Sequence, residues 1–178
     1  MPATIRLAAD ADAAQMLAIY ASFVRNSIVS FEIEVPSEQS FKERIARTLV
    51  GTPWLVCEIG GRVAGYVYAL PHHQWGAYRW SLDTTVYVDP AHHRKGIAWA
   101  LYSSLFACLR LRGYYNVYAG IPLPNPASVG LHESLGFNLV GIYQAVGHKL
   151  GAWRDVGWWH LALVPYVATP TEPLVLRA

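Results

Sequence analysis

Charge is scarce in this chain. Of its 178 residues, 15% are Asp, Glu, Lys or Arg, and they leave a formal net charge of +2. A balance so near neutrality gives no argument for a nucleic-acid partner. Cysteine is rarer still. Cys57 and Cys108 sit in apolar surroundings without a Cys-x-x-Cys spacing, which excludes a disulfide framework and a thiolate metal site and predicts two reduced, buried residues. No apolar run, of which Ala98–Leu101 is typical, approaches the ~20 residues of a membrane span. The opening Met-Pro-Ala-Thr-Ile-Arg lacks the basic region and apolar core of a secretory signal. These absences predict a cytoplasmic protein with neither a membrane nor a nucleic-acid partner. Two phosphate-loop strings are also missing: Gly-x-x-x-x-Gly-Lys-Ser/Thr, and Gly-x-Gly-x-x-Gly after the first strand. The pairs His72-His73 and His92-His93 invite a metal site. Adjacent residues point apart, however, and no His-Glu-x-x-His occurs, so no metal is expected.

What is present is an apolar chain, 53% hydrophobic and 13% aromatic, long enough for one domain with a proper core. Its periodicities predict a strand at Ile5–Leu7, a helix at Ala14–Val24 capped by Asp10 or Asp12, and a second helix at Glu38–Leu49 opened by Pro36-Ser37. Strands Trp54–Ile59 and Val63–Leu70 flank the hairpin signal Gly60-Gly61. Trp80–Val88 is a strand, Gly96–Arg112 a long helix closed by Gly113, and Asn116–Ile121 a strand. A helix within Pro124–Leu135 and strands Phe137–Tyr143 and Asp155–Val164 follow. That order predicts an α/β (α+β) fold with one mixed central sheet. The domain is expected over residues 1–167, with 168–178 a loosely held tail. The tryptophans Trp153, Trp158 and Trp159 are expected to fill the core or a subunit interface.

The most informative stretch is Val86–Ala98: strand, tight basic turn, helix start. Unpaired N–H groups and the positive dipole end of a helix attract anions. Arg94 and Lys95 add full charges, and Gly96 lets a ligand approach the backbone. The assembly is a pyrophosphate cradle.

His93-Arg94-Lys95-Gly96-Ile97-Ala98 after Thr85-Val86-Tyr87-Val88 resembles the acetyl-CoA loop of the GNAT superfamily of N-acetyltransferases. Asn125-Pro126-Ala127-Ser128, Leu131-His132-Glu133 and Leu135-Gly136-Phe137 resemble its second motif. Within the superfamily the chain is most similar to the phosphinothricin and methionine sulfoximine acetyltransferases, through Ser30-Phe31-Glu32, Pro53-Trp54-Leu55-Val56 and Gly147–Val156 among others. The similarity runs over about residues 4–165.

The resemblance implies a mostly antiparallel sheet with helices on both faces that splays after the Trp80–Val88 strand to admit pantetheine. Val86, Tyr87 and Val88 would line that arm, with backbone groups of Val86 and Val88 pairing with its amides. His93, Arg94, Lys95, Gly96, Ile97, Ala98 and Trp99 would hold the pyrophosphate end, and Asn125, Ser128 and Ser134 the opposite wall. His93 stands where the family usually has Gln or Arg, and Ala98 where it has Gly. Asp83, at a position usually Glu, and His132 are the implied catalytic pair. Asp83 would act as base directly or through water. His132, two helical turns beyond Asn125, would protonate the leaving thiolate or serve as scaffold. The acceptor pocket is expected from Phe31, Glu32, Gln74, Trp75, Tyr78, Arg79, Thr84 and Thr85. The subfamily's Lys and Arg are replaced by His73 and Trp75, and Arg79 is expected to supply the missing charge. The implied activity is acetyl transfer from acetyl-CoA, a co-substrate, to the amino group of a small amino acid or analogue, in a homodimer. A silent acyl-CoA sensor, or acetylation of a polyamine or protein N-terminus, are the alternatives.

Overall fold

The computed structural model describes residues 2–174. Its elements are β1 (Ala3–Leu7), α1 (Ala13–Asn26), α2 (Glu38–Gly51), β2 (Trp54–Ile59), β3 (Arg62–Pro71), β4 (Ser81–Val88), α3 (Ile97–Leu111), β5 (Asn116–Leu123), α4 (Pro126–Ser134), β6 (Asn138–Lys149) and β7 (Ala152–Ala162). One seven-stranded sheet runs in the order β1-β2-β3-β4-β5-β7-β6. Every neighbouring pair is antiparallel except β4 and β5. The mixed, mostly antiparallel sheet is the one expected, and so is the order of elements.

Strand alternation divides the core in two. On β2, Leu55 and Cys57 join α3 residues Leu101, Leu105 and Leu109 on one face. Trp54 and Val56 join Met16 and Ile19 of α1 and Phe41 and Ile45 of α2 on the other. Helices therefore cover both faces. Local chemistry sets the ends: Ser37 accepts from the Ser40 N–H at 3.1 Å to cap α2, and Gly60 and Gly61 turn β2 into β3 with positive φ.

Three expectations need amendment. Asp12 does not cap α1 by a side-chain bond. Its carboxylate instead grips Arg6 at 2.7 and 2.8 Å and accepts from the Ala9 N–H at 2.8 Å, and the Arg6 bond holds its pKa below the usual carboxylate range. Strands β6 and β7 form a hairpin much longer than periodicity suggests, turning at Leu150-Gly151. Register shifts at Leu139/Gly141 and Tyr143/Gly147 break its alternation. The tail has no helix or strand up to Leu174, yet it is tied down. Trp80 donates to the Thr171 carbonyl at 2.8 Å, Arg79 pairs with Glu172, and Arg112 and Leu174 exchange two bonds of 2.8 Å. Residues 175–178 of that tail lie outside the described residues. No described helix is long and apolar enough to cross a membrane.

Candidate active site

The sheet opens at its parallel pair. Strands β4 and β5 are in register only from Ser81↔Asn116 to Asp83↔Tyr118. The Thr84 hydroxyl closes the seam by donating to the Tyr118 carbonyl at 3.1 Å. Beyond it β4 runs on to Val88 and β5 to Leu123 without pairing. The Asp89 N–H reaches back to the Ala64 carbonyl of β3. By alternation the backbone groups of Val88 and Val86 therefore face the opening. A narrow cavity of about 50 Å³ occupies it, walled by β4, β5, Tyr102 of α3, and Asn125, Ser128 and His132 of α4.

At one end of this opening lies the start of α3. Gly96 is its N-cap, at φ 77°, and no side chain caps the first turn. The N–H groups of Ile97, Ala98 and Trp99 thus have no partner within the helix. A Cβ on Gly96 would meet no atom within 4 Å, so the space before these donors is open and the glycine serves the left-handed backbone. Arg94 is also left-handed, at φ 58°. Such alternation turns successive N–H groups inward as an anion nest. His93 donates from Nε2 to the Val88 carbonyl at 3.0 Å, and Lys95 Nζ to the Ala91 carbonyl at 3.0 Å. The His93 side chain therefore braces the loop against β4.

At the other end a cavity of about 500 Å³ opens, lined by Phe31, Leu70, Asp83, Thr84, Thr85, Gly120, Tyr143 and Trp158 among others. Asp83 is the one carboxylate among the described residues that line it. Burial pushes the Asp83 pKa up, and the hydrogen bond from His72 opposes the rise. His72 Nδ1 lies 2.6 Å from Asp83 Oδ1.

His132 is buried on the wall between the two ends. Its Nδ1 is 2.7 Å from the Ser128 carbonyl and its Nε2 is 2.9 Å from the Tyr102 hydroxyl. A carbonyl can only accept, so Nδ1 carries the proton and Nε2 accepts from Tyr102. Burial lowers the His132 pKa, which keeps this neutral form. Burial also pushes the Tyr102 phenol well up, so it stays protonated.

Among the expected acceptor residues, the fold brings Phe31, Thr84 and Thr85 together with Asp83 around the larger cavity. It does not bring the others there. Glu32 is paired with Arg44 at 2.7 Å. Arg79 is committed to Glu172, to the Gly76 carbonyl at 2.6 Å and to the face of Trp80, so it leaves no charge for the pocket. Gln74, Trp75 and Tyr78 sit on the loop outside, where Trp75 and Tyr78 cluster with His73. On the coenzyme side, the Tyr87 ring packs into the opposite core against Tyr20 and Phe23, which leaves its hydroxyl no place in the opening. Asn125 lines the opening, and its Oδ1 accepts from the Ser128 N–H to cap α4. Ser134 donates to the Leu131 carbonyl at 2.7 Å and lies off the cavity wall. Trp99, the third residue of α3, is exposed. Sequence reasoning missed His72, Tyr102 and Trp158. A strand that turns back through His72-His73 toward Asp83 was the available signal for His72. Tyr102 reads as a core position of α3, and nothing local distinguishes it.

An acetyltransferase (GNAT) domain model matches residues 5–158. The chain belongs to the GNAT acetyltransferase family. This GNAT enzyme is 38% identical over 174 residues to a phosphinothricin N-acetyltransferase of Streptomyces viridochromogenes, covering 97% of this chain and 95% of the relative. It is 35% identical to an L-methionine sulfoximine/L-methionine sulfone acetyltransferase of Salmonella typhimurium, covering 93% and 97%. The crystal structure of a GNAT superfamily phosphinothricin acetyltransferase from Sinorhizobium meliloti, in complex with acetyl-CoA, superposes with a TM-score of 0.91. Its identity is 35%, and the match covers 97% of this chain and 95% of that one.

Proposed function

We propose that this enzyme moves the acetyl group of acetyl-CoA to the amino group of a small amino acid or analogue, of the phosphinothricin or methionine sulfoximine/sulfone type. The observation that carries this reading is the continuous opening between β4 and β5. It has an uncapped, left-handed helix start at one end and a cavity with a single carboxylate at the other. The residues fit the donor. His93 takes the Val88 carbonyl. The remaining edge, the Val86 groups and the Val88 N–H, suits the amides of a pantetheine arm as one strand suits another, while the N–H groups of Ile97 to Trp99 suit a pyrophosphate. The names of the relatives above support the acceptor class.

In this mechanism Asp83, directly or through one water, takes a proton from the acceptor's ammonium and passes it to solvent. The freed amine attacks the thioester carbonyl, a C–N bond forms and the C–S bond breaks. The amine's second proton ends on the sulfur, so the products are an amide and a thiol. Tyr102, held protonated, turns its one hydroxyl proton from Nε2 of His132 to the departing sulfur as the C–S bond breaks. His132, neutral and already bonded at both nitrogens, acts as the scaffold that aims Tyr102. Attack is direct: Cys57 is buried, its pKa raised by burial, and it lines none of these cavities.

We also place the enzyme in the cytoplasm as a homodimer. Two unpaired cysteines support the compartment. The exposed apolar residues Leu139, Val140, Ile142 and Val146 of β6, with Trp153 of β7, support the dimer. Light scattering reads the assembly directly, and a monomer at micromolar concentration overturns it.

Thiol release from acetyl-CoA, measured with phosphinothricin, methionine sulfoximine, methionine sulfone, ordinary amino acids and spermidine, tests the reaction. Turnover is expected with the first three. Tight acetyl-CoA binding without turnover on any amine, or turnover on spermidine alone, would sink the reading. Asp83→Ala should abolish most of the rate.

A further inference from the structure

We propose that His72 is a positioning residue of the acceptor site, holding one carboxylate oxygen of Asp83 so that the other is left for the incoming amine. This inference rests on the reading of Asp83 as the base.

The geometry comes from three directions. Asp83 has a short side chain on β4, directly across the seam from its register partner Tyr118 on β5. His72 follows β3, and its own N–H is fixed to the Ser81 carbonyl at 3.1 Å. Its ring lies nearly parallel to Tyr118, with centroids 4.3 Å apart and planes at 17°, and Trp158 stands edge-on at 5.9 Å and 79°. The imidazole is thus clamped by aromatic packing before any substrate arrives, and from that clamp Nδ1 reaches Asp83 Oδ1 at 2.6 Å. Among the described residues this is the one hydrogen bond to the Asp83 carboxylate, while the carboxylate also lines the acceptor cavity. An ionised carboxylate accepts, so Nδ1 donates and stabilises the charged form.

The groups that face this pair are few. Tyr118 comes from β5, with the ring of His160 of β7 tilted against it at 4.8 Å. Tyr143 of β6 lines both the acceptor cavity and a separate cavity of about 120 Å³ beside His72. Tyr78 approaches His72 from the loop at 5.8 Å. None of them carries a positive charge that could replace the His72 donor.

His72→Phe keeps a ring to stack on Tyr118 and removes the donor. His72→Asn places an amide N–H near the position of Nδ1. His72→Gln removes the donor from that position without a ring, and serves if Phe disturbs the hairpin. With the donor gone, kcat should fall about tenfold or more, and KM for acetyl-CoA should stay unchanged. The acid limb of kcat/KM for the acceptor should move up by about one pH unit, because burial of Asp83 is then unopposed. His72→Asn should return the limb and most of kcat. Wild-type kcat and an unmoved limb in His72→Phe or His72→Gln overturns the proposal, and so does His72→Asn behaving like His72→Phe. Asp83→Asn separates the two claims. If it is inactive while His72→Phe is normal, only the role of His72 fails. If Asp83→Asn is fully active, the base reading fails and takes this inference with it.

Discussion

The Tyr102 hydroxyl donates to Nε2 of His132 at 2.9 Å, joining α3 to α4 across the wall of the cofactor opening. Both partners are buried: Tyr102 fully, and His132 with 3% of its surface exposed. The Ser128 carbonyl fixes the proton on Nδ1 of His132, so Nε2 accepts from Tyr102. A histidine arranged in this way aims a hydroxyl and has no proton to give from Nε2.

His132→Phe should therefore damage both stability and rate. It leaves the Tyr102 hydroxyl without its acceptor and the Ser128 carbonyl without its side-chain donor, at a cost of about 1–3 kcal/mol for buried polar groups left unpaired. The rate should fall about tenfold to a hundredfold, in the range of lost acid–base assistance. KM for acetyl-CoA should change little. Denaturant melts and steady-state kinetics on the same preparation check both parts. A loss of stability with unchanged kcat would show that the pair is structural only.

The same residue predicts a pH dependence of stability. Burial lowers the His132 pKa in the folded state below its ordinary 6.5. The unfolded chain then binds more protons than the native one below about pH 6.5, so stability is complete above that pH and is lost as pH falls toward the native value. His160, lowered by burial too, adds a slope of the same sign. The Tm should drop between pH 7 and pH 5, and His132→Gln should show a shallower drop. An equal slope in the variant would contradict the assignment.

Asp83 carries the opposite sign. Burial raises its pKa, so between its unfolded value near 3.8 and its raised native value the native state binds more protons. Stability then declines as pH rises through that window. At neutral pH the ionised carboxylate is a standing burden on the fold, and Asp83→Asn should raise Tm while removing activity. Calorimetry at pH 7 reads the shift. A lower Tm in Asp83→Asn would mean that the His72 bond outweighs desolvation.

Much of this site is legible in the sequence, and what is not has physical reasons. The Val86–Ala98 cradle depends on local chemistry: a strand, a basic turn, a glycine at positive φ and a helix start lie within thirteen residues. The two cores follow from strict alternation, as at Trp54, Leu55, Val56 and Cys57. His72 escapes because its partner is eleven residues away across a loop that mixes several aromatic and polar side chains. Arg79 misleads for the converse reason. Its position in that loop suits a pocket, but Glu172 comes from the far end of the chain to take it. The β6–β7 hairpin hides its length because each register shift moves the following side chains to the other face, and Ala145 at φ 48° breaks the pattern inside the second shift.

The cradle separates backbone from charge. Gly96→Ala meets no atom within 4 Å, but it forces a side chain into φ 77°, costing about 1–2 kcal/mol and tilting the first-turn N–H groups. Arg94→Ala leaves those groups in place and removes a full charge. Both should raise KM for acetyl-CoA with little effect on KM for the acceptor. Only in Arg94→Ala should the salt dependence of that KM also weaken. Titrations at two ionic strengths distinguish them, and equal salt dependence in wild type and Arg94→Ala would remove Arg94 from the anion site.

Gly147 sets the acceptor side from outside the opening. A Cβ built there would lie 2.5 Å from Cε2 and 2.9 Å from Cδ2 of Phe31, so an alanine cannot fit without moving the ring. Phe31 is 37% exposed and lines the acceptor cavity, and the rest of its loop is held by Lys149, whose Nζ donates to the Ser30 carbonyl at 2.5 Å. The ring can therefore swing while the loop backbone stays. Gly147→Ala should change stability by less than about 1 kcal/mol, since a half-exposed side chain can yield. It should also leave KM for acetyl-CoA unchanged and shift the ranking of acceptors, because one wall of their cavity has moved. Competition between two acceptors of different side-chain length gives the ratio of kcat/KM directly. An unchanged ratio in Gly147→Ala, with the protein folded, would take Phe31 out of the acceptor site.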